Sequence, residues 1–293
     1  MIRIATRASD LAVWQATFVA DRLRAADPSC ATALVTRVTR GDRETSDPLS
    51  AIAGTGVFTA EIDRALLEGD ADVAVHSLKD LPIAPAPGLV VAAILERAPV
   101  EDALVAANGA TLAELPGGAR VGTSSPRRER ILRELRPDLL VVDVRGNVPT
   151  RVGRVGRDLD AVVLARAGLE RLGLARHVTD VLGPPAWLPA PGQGALAIVV
   201  RETDTRHRSI VAALDHEPTR AAVEAERMVL ASLGGGCSLP LGVHATPTLG
   251  GWRVTALLFH ADDSRIDAAC EGADPNAVAR ECAEVLLSKA ALR

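Results

Sequence analysis

One cysteine has an unusual setting in the last quarter of the chain, in the stretch SLGGGCSLPLG. Cys237 directly follows three glycines at positions 234 to 236 and precedes Pro240 by three residues. Glycines have no side chain, so they leave room beside the sulfur and offer backbone N–H groups to a thiolate. This setting favours an accessible thiol with another group lying against it, while a buried cysteine that acts as a small hydrophobe is the alternative.

The other thiols and histidines offer little to a cysteine-dependent reaction. A cysteine–histidine hydrolase needs a base beside its nucleophile, and His244, seven residues after Cys237, is a weak candidate for that base. Cys30, Cys270 and Cys282 show no CxxC spacing and no nearby histidine pair. We therefore predict reduced thiols, with neither a metal site nor a disulfide framework.

A second group of reactive side chains lies in VAVHSLKDLP, which contains His76, Lys79 and Asp80. A surface pair of Lys79 and Asp80 would be an ordinary ion pair that contributes little free energy. At a strand end that faces cations, however, a carboxylate stays ionised and can stabilise a cationic intermediate or accept hydrogen bonds from N–H groups. We favour Asp80 as the catalytic residue, because His76 is equally well explained as a histidine packed at the end of a strand.

Arginines supply the cations that such a carboxylate would face. Of the 33 basic residues 31 are arginine, and a planar guanidinium binds a carboxylate or phosphate through two parallel hydrogen bonds. Polar clusters follow five predicted strands, at residues 6–9, 76–80, 122–128, 145–147 and 165–168. In open α/β sheets ligands bind outside the carboxyl ends of the strands, so these clusters predict one cleft.

The residues that give this cleft its charge are Arg7, Arg127, Arg128, Arg145, Arg151 and Arg171. In GTSSPRRER the Ser-Ser-Pro sequence starts a helix, so N–H groups and hydroxyls predict a seat for an anion beside Arg127 and Arg128. A single arginine is well explained as a surface charge, but six at strand ends indicate an anionic ligand. A net charge of −4, two lysines and 2% aromatic residues argue against nucleic acid and favour a small molecule rich in carboxylates.

The loops that carry these residues require a scaffold of alternating strands and helices, and the hydrophobic pattern predicts one. Strands are predicted at residues 2–5, 33–38, 72–75, 89–94, 103–106, 119–121, 139–144, 161–164 and 195–200. Helices are predicted at residues 11–26, 59–67, 126–135 and 168–172. After about residue 216 we expect a small α+β domain, with helix 218–232, the glycine loop, strands 252–259 and 264–269, and a helix that begins at Asp274-Pro275.

Composition also predicts where the domains of this α/β chain meet and in which cellular compartment the protein works. The stretch GPPAWLPAPGQG, residues 183–194, is typical of a connector between domains, and a second break is predicted near residues 97–101. At 293 residues the chain is longer than most single domains. It shows neither the apolar core of a signal peptide nor the roughly 20 apolar residues of a membrane span, so we expect a cytoplasmic protein.

Eight motifs, in their order and spacing, resemble the porphobilinogen deaminase family, also called hydroxymethylbilane synthase. They are RIATRASDLAVWQA, VTRGD, ADVAVHSLKDLP, VGTSSPRR, RGNVPTR, LARAGLERLG, LPAPGQGAL and LGGGCSLPLG. The resemblance runs from Arg3 to the C-terminus and implies two doubly wound domains that form a cleft like that of two-lobed periplasmic binding proteins, plus a third domain. The implied domains are residues 1–96 with 196–215, residues 97–195, and residues 216–293, which carry the cysteine.

The resemblance also implies a cofactor and a reaction. The family holds a dipyrromethane cofactor through a thioether to a cysteine, and Cys237 matches that position. The enzyme builds this primer from its own substrate chemistry, adds four porphobilinogen molecules head to tail with loss of ammonia, and hydrolyses off the linear tetrapyrrole hydroxymethylbilane in haem biosynthesis. We therefore expect a monomeric transferase for a small-molecule substrate, with no metal, nucleic acid or membrane as partner.

The matched positions assign roles to the polar residues, because each pyrrole brings an acetate and a propionate. The residues expected to bind substrate are Arg7, Gln15, Arg145, Arg151 and Arg171. The residues expected to bind the cofactor are Cys237, Ser9, Lys79, Asp80, Thr123, Ser124, Ser125, Arg127, Arg128, Arg145 and Gly146. Asp80 and Lys79 match the catalytic positions, where an ionised carboxylate stabilises the azafulvene cation that loss of ammonia leaves.

The chain departs from the family pattern in two places. Many relatives have a lysine in the loop that reads here GTGVF, residues 54–58, so this loop lacks that cationic contact. Pro149 is expected to stiffen the loop between Arg145 and Arg151. The neighbouring stretch 41–56, rich in glycine, serine and aspartate, is a candidate for a mobile lid.

Two other classes of protein compete with a transferase. A non-catalytic binding protein with the same two-lobed cleft would need neither Cys237 nor Asp80, and a periplasmic one would need a signal peptide. A cysteine-dependent hydrolase would need a dedicated histidine base. The sequence favours the transferase over both.

Overall fold

The computed structural model describes residues 1–39, 59–236, 239–260 and 262–291. The chain forms two compact units, and we call Met1–Ala98 with Gly194–Arg220 the first unit and Pro99–Gln193 with Ala221–Arg293 the second unit. The division into three domains stays a prediction. Within the described ranges, no helix has the length and apolar character required to cross a membrane.

Strands and helices alternate through most of the described chain. The strands are β1 Ile2–Arg7, β2 Thr32–Arg37, β3 Val73–Ser77, β4 Leu89–Ile94, β5 Asp102–Ala106, β6 Arg120–Gly122, β7 Leu140–Val142, β8 Ala161–Ala165, β9 Asp180–Leu182, β10 Leu196–Arg201, β11 Leu241–Thr248, β12 Gly251–Phe259 and β13 Arg265–Gly272. The helices are α1 Asp10–Ala26, α2 Ala60–Leu67, α3 Pro126–Leu135, α4 Val148–Val152, α5 Arg166–Arg171, α6 Thr205–Ala212, α7 Glu217–Ser232 and α8 Pro275–Ala291.

The first unit is built on a five-stranded sheet in the order β2-β1-β3-β10-β4. β1 is parallel to β2 and β3, and β10 is antiparallel to β3 and β4. Helix α1 forms because Val19 and Leu23 recur at helical spacing, and these side chains are buried against Ile4 and Val75 of the sheet. This packing holds β1 and β3 side by side, so that their carboxyl ends lie close together.

The second unit contains two sheets. Its larger sheet has the order β7-β6-β8-β5-β9, with β6 parallel to β7 and β8, and with β5 antiparallel to β8 and β9. Each five-stranded sheet thus combines three neighbouring parallel strands with a fourth strand that runs the other way. The smaller sheet is antiparallel in the order β11-β12-β13, and α8 packs on it. The predicted α/β class with a small C-terminal α+β part is confirmed.

Three features differ from the sequence-based expectation. The C-terminal sheet has three strands where two were expected. Strand β11 was missed because it contains Pro247, a residue that sheets tolerate at an edge strand such as this one. Helices α4 and α6 and strand β9 were not predicted. The segment 183–194, expected to be a connector, does contain a boundary between the units, which falls between Gln193 and Gly194, but it is packed, since Trp187, Leu188 and Gln193 are at most 2% exposed. We call residues 183–194 the proline-rich segment.

Candidate active site

In the first unit, predicted site residues meet at the carboxyl ends of two parallel strands. Arg7 is the last residue of β1, and Ser9 begins α1 without a side-chain capping bond. Strand β3 leads into a 3₁₀ turn, Leu78–Asp80, which carries Lys79 and the exposed Asp80. Because β1 and β3 are neighbours, these residues lie at one edge of the sheet.

Buried hydrogen bonds hold this edge from beneath. Thr6 Oγ1 donates to the carbonyl oxygen of Ala12 at 3.0 Å, which ties β1 to the first turn of α1. Gln15 Nε2 donates to Ser77 Oγ at 2.8 Å, one residue before the 3₁₀ turn. The N–H of Leu78 donates to the carbonyl of Ala195 at 3.0 Å, which attaches the turn to the residue that precedes β10. The backbone beside Asp80 is therefore fixed while its carboxylate faces water.

His76 lies four residues before Asp80, and its environment differs sharply from that of the aspartate. The imidazole is 6% exposed, and its Nε2 has no hydrogen-bond partner in the described structure. Burial, followed by the charge of Arg7, lowers the pKa of His76 to about 4. The ring is thus neutral near pH 7 and sits inside the protein.

In the second unit, hydroxyl and arginine residues follow the three parallel strands. Thr123 comes directly after β6, and its Oγ1 accepts from the N–H of Ser125 at 3.2 Å. Ser125 in turn caps α3 by accepting from the Arg128 N–H at 3.5 Å, a long contact. Ser124 lies between them and is half-buried. The start of α3 is therefore at the carboxyl edge of this sheet, as the sequence predicts.

The stretch from Arg145 to Arg151 is preorganised by its own hydrogen bonds. Gly146 has a φ of +105°, and a Cβ there would lie 2.8 Å from Thr150 Cγ2, so only glycine fits. Asn147 Oδ1 accepts from the Thr150 N–H at 2.9 Å and caps α4. Arg151 Nε donates to the Gly146 carbonyl at 2.7 Å, which orients its guanidinium.

Pro149 lies within this same stretch, in the first turn of α4. The expectation that it stiffens a loop is therefore corrected, because the residues concerned are helical. Proline suits this position because a helix does not use the N–H groups of its first turn. Arg151 follows in the same short helix, and both residues are half-buried.

Arg127 and Arg128 are buried, being 3% and 7% exposed. Arg127 Nη2 donates to Asp102 Oδ2 at 2.8 Å, and Arg128 Nη2 donates to Asp102 Oδ1 at 2.7 Å. Their Nη1 atoms donate to the carbonyl oxygens of Leu188 at 2.7 Å and Val163 at 3.2 Å. The expected anion seat thus has its two guanidinium groups inside the unit, and their role as cofactor ligands stays a prediction.

Asp102 is the residue that sequence reasoning missed. Burial alone would raise the pKa of this carboxyl, but the charges of Arg127 and Arg128 and the hydrogen bonds from Arg128 and Trp187 lower it well below the usual range. Gln193 Nε2 also donates to Asp102, at 2.8 Å. The sequence signal is only an acidic residue at the start of the apolar strand β5.

Arg171 and Cys237 complete the predicted set. Arg171 ends α5, and burial lowers its pKa to about 10, against the opposing charge of Glu170. Cys237 lies outside the described residues, as does the stretch 41–56 with the departure at residues 54–58. Of the glycines before the cysteine, Gly235 is tightly packed, since a Cβ would lie 2.6 Å from Leu239 Cδ2. At Gly236, apart from its chain neighbours, no described residue has an atom within 4 Å of that position.

The structure therefore gathers the predicted residues into two groups. Arg7, Ser9, Gln15, Lys79 and Asp80 belong to the first unit. Thr123, Ser124, Ser125, Arg127, Arg128, Arg145, Gly146, Arg151 and Arg171 belong to the second. That both groups line one cleft stays a prediction.

Comparison with known proteins decides the family. A model described as "Porphobilinogen deaminase, dipyromethane cofactor binding domain" matches residues 2–209, and one described as "Porphobilinogen deaminase, C-terminal domain" matches residues 220–288. Porphobilinogen deaminase of Xylella fastidiosa strain 9a5c is 46% identical over 295 residues, covering 99% of this chain and 97% of that protein. The chain belongs to the porphobilinogen deaminase family.

Other relatives of this family show the same extent of similarity. Porphobilinogen deaminase of Xanthomonas euvesicatoria pv. vesicatoria is 46% identical, covering 99% of this chain and 97% of that protein. Among solved structures, a periplasmic binding protein of Salmonella typhimurium with high arginine specificity is 12% identical, with a TM-score of 0.40, covering 78% of this chain and 96% of that one.

The family models also sort the predicted site residues. Every one of them except Cys237 falls within residues 2–209, which the cofactor-binding domain model matches. Cys237 falls within residues 220–288, which the C-terminal domain model matches. The arginines and the cysteine therefore belong to different domains of the family.

Proposed function

We propose that this chain is a deaminating transferase, a hydroxymethylbilane synthase. It joins four porphobilinogen molecules head to tail on a dipyrromethane primer, releases ammonia each time, and hydrolyses off the linear tetrapyrrole hydroxymethylbilane. The observation that carries this proposal is the 46% identity over nearly the whole length of proteins named porphobilinogen deaminase. The residues of the two groups described above supply the chemistry that this reaction needs.

The donors of the second unit suit a group that bears carboxylates. Arg127 and Arg128 share the single buried carboxylate of Asp102, so the three side chains keep a net positive charge. The Nε atoms of both arginines are buried and have no hydrogen-bond partner within the described ranges. Hydroxyl groups of Thr123 and Ser124 lie at the same strand end. Positive charge with unused N–H donors matches acetate and propionate groups.

We infer that these residues divide into three tasks. One set holds the primer, whose terminal pyrrole would receive the first porphobilinogen: Ser9, Lys79, Asp80, Thr123, Ser124, Ser125, Arg127, Arg128, Arg145 and Gly146. Arg7, Gln15, Arg145, Arg151 and Arg171 bind the carboxylates of the incoming porphobilinogen. Asp80, on its fixed 3₁₀ turn and assisted by Lys79, stabilises the positive charge that develops as ammonia leaves.

Cys237 is proposed as the attachment point of the primer. Its Sγ forms a bond to the methylene carbon of a porphobilinogen while the bond from that carbon to the amine breaks. The thiol proton leaves with the amine as ammonia, so atoms and charge balance. Support comes from the glycines before it, because Gly236 has open space where a side chain would otherwise stand.

The proposed partners follow from composition, and the proposed monomeric state follows from the family resemblance. We infer that the enzyme works in the cytoplasm as a monomer and that its ligands are small carboxylated pyrroles. The net charge of −4 and the two lysines support ligands other than nucleic acid.

The intact mass of the purified protein tests this proposal. The wild type is expected to exceed its sequence mass by two pyrrole units, and Cys237→Ser is expected to lose that excess. Cys30→Ser is the matched control, because Cys30 is a half-buried free thiol of the first unit and should leave the excess unchanged. A wild-type protein at its bare sequence mass, despite an ample supply of porphobilinogen, would contradict the proposal.

A further inference from the structure

The carboxylate of Asp102 is fully occupied by four donors, two from α3 and two from the proline-rich segment. Oδ1 accepts from Arg128 Nη2 at 2.7 Å and from Gln193 Nε2 at 2.8 Å. Oδ2 accepts from Arg127 Nη2 at 2.8 Å and from Trp187 Nε1 at 2.7 Å. A carboxylate has about four lone-pair sites, so none is left for another partner.

This arrangement settles the orientation of two neighbouring arginines. Arg127 and Arg128 are consecutive in the first turn of α3, and their guanidinium groups would repel each other in a buried site. One carboxylate between them binds an Nη2 atom of each, and two backbone carbonyls bind the Nη1 atoms. Both guanidinium planes are therefore constrained from two sides, with only the Nε–H groups lacking a partner in the described chain.

We propose that Asp102 is a positioning residue, which fixes the Arg127–Arg128 pair in the orientation needed to hold the primer. This inference rests on the proposed function. Asp102 touches neither primer nor substrate in this role and acts through the two arginines. Trp187 and Gln193 complete the support. Trp187 holds Oδ2, the oxygen that binds Arg127, and Gln193 holds Oδ1, the oxygen that binds Arg128.

The same support reaches α7 and β11, the elements on either side of residues 233–240, which contain Cys237 and which we call the cysteine loop. Trp187 and Gln193 belong to the proline-rich segment, whose Gly192 N–H donates to Glu226 Oε2 of α7 at 2.8 Å. Its Pro189 carbonyl accepts from the N–H of Val243 in β11 at 2.9 Å. Helix α7 precedes the cysteine loop and β11 follows it. The proline-rich segment thus joins the arginine pair to the two elements between which Cys237 lies.

The close packing of this junction supports a positioning role. Gly242 of β11 lies so near the proline-rich segment that a Cβ there would be 2.8 Å from Leu188 Cβ. Leu188 is 1% exposed, and its carbonyl is the acceptor of Arg127 Nη1. A shift of the proline-rich segment would therefore move the arginine pair and β11 together.

Three variants test the role of Asp102. Gln193→Met removes one donor at nearly constant volume, and Trp187→Phe removes another while keeping an aromatic ring, at the cost of a small cavity. Asp102→Asn removes the charge between the arginines. Trp187→Phe and Gln193→Met should keep the primer but lower kcat about tenfold, with the KM for porphobilinogen within about twofold, because a misplaced primer slows reaction without weakening substrate binding. Asp102→Asn should lower the fraction of protein that carries the primer at least tenfold, read as intact mass.

A matched control separates positioning from loss of stability. Leu286→Ala opens a cavity in the same unit, since Leu286 is fully buried in the separate core beneath β11 to β13. It should lower the melting temperature while primer content and kcat, both measured well below that temperature, stay at wild-type values.

Each outcome decides the matter. Wild-type primer content and kcat in Trp187→Phe and Gln193→Met would overturn the role of Asp102, as would equal losses in Leu286→Ala at an equal melting temperature. If Asp102→Asn does not fold, the other two variants still decide. A wild type that lacks the primer would overturn the proposed function itself, whereas a loaded wild type with unaffected variants overturns only this inference.

Discussion

Gln15 of α1 donates a hydrogen bond to Ser77 at the end of β3, with 2.8 Å between Nε2 and Oγ. Gln15 is 3% exposed, and this bond uses one of the two N–H donors of its amide. Ser77 is the last residue before the 3₁₀ turn that carries Asp80. The contact therefore links the first helix to the position of the proposed catalytic carboxylate.

Replacing Gln15 should weaken both stability and turnover. Gln15→Met keeps the volume of the side chain but leaves Ser77 without this donor, which costs about 1 kcal/mol in the free energy of unfolding. We expect kcat to fall severalfold because the turn before Asp80 loses one anchor. Urea denaturation and steady-state kinetics measure the two effects. Thr17→Ser, at an exposed position of the same helix, is the control and should change neither quantity, because serine and threonine have similar helix propensities.

Asp80→Asn should separate primer attachment from elongation. The amide has the shape of the carboxylate but no charge, so it cannot stabilise the cation that forms as ammonia leaves. We expect the two-pyrrole mass excess to persist while kcat falls about 10²- to 10³-fold. Asp27→Asn is the matched control, because Asp27 is exposed and its Oδ1 accepts from Ser29, far from the 3₁₀ turn in sequence. Near-normal turnover of Asp80→Asn would remove Asp80 from its proposed role.

His76 should make the protein less stable as the pH falls. Its pKa is about 4 in the folded protein against 6.5 for the ordinary side chain, because the imidazole is buried. Between these values the unfolded chain binds a proton that the folded protein does not, so the free energy of unfolding decreases as pH drops from about 6.5 towards about 4. At about 1.4 kcal/mol per pKa unit, the full effect is on the order of 3 kcal/mol.

Melting curves between about pH 7 and about pH 5 measure this effect. His76→Leu removes the titrating group and should flatten the decline, whereas His177→Gln, at a half-buried histidine of the second unit, should leave it unchanged. Asp102 does not contribute to this decline. Its pKa is 3.8 as an ordinary side chain and lower in the folded protein, so the carboxyl is ionised in both states over the pH range of these melting curves. An undiminished decline in His76→Leu would assign the effect to another group.

Glu226 should prove to be a stabilising residue of the second unit. It is fully buried, and its two oxygens accept from the N–H groups of Gly192 at 2.8 Å and Ala245 at 3.0 Å. Glu226→Gln turns one acceptor into a donor that faces an N–H group, which should lower the free energy of unfolding by about 1–3 kcal/mol. Denaturant titration measures this, with the exposed Glu224→Gln as control. Equal stability of the two variants would contradict the prediction.

Local patterns in the sequence were sufficient for much of the fold. Hydrophobic periodicity places α1, α3 and most strands, because apolar spacing reflects which face of an element is buried. Polar clusters at strand ends predict one cleft, and the structure places Arg7 and Asp80 after strands of one sheet and Thr123 and Arg145 after strands of another. Strand β11 escaped the same reasoning, because Pro247 breaks a pattern that only its place at the edge of a sheet permits.

By itself, the sequence determined the α/β class, the family and the residue types of the candidate site. Only the tertiary structure decided the environment of Arg127 and Arg128, which the sequence predicts to face an anionic ligand and which are buried on the carboxylate of Asp102. Asp102 lies 25 and 26 residues before them, 85 before Trp187 and 91 before Gln193. Local patterns cannot carry such pairings, because they depend on which strands become neighbours and on which charges that packing removes from water.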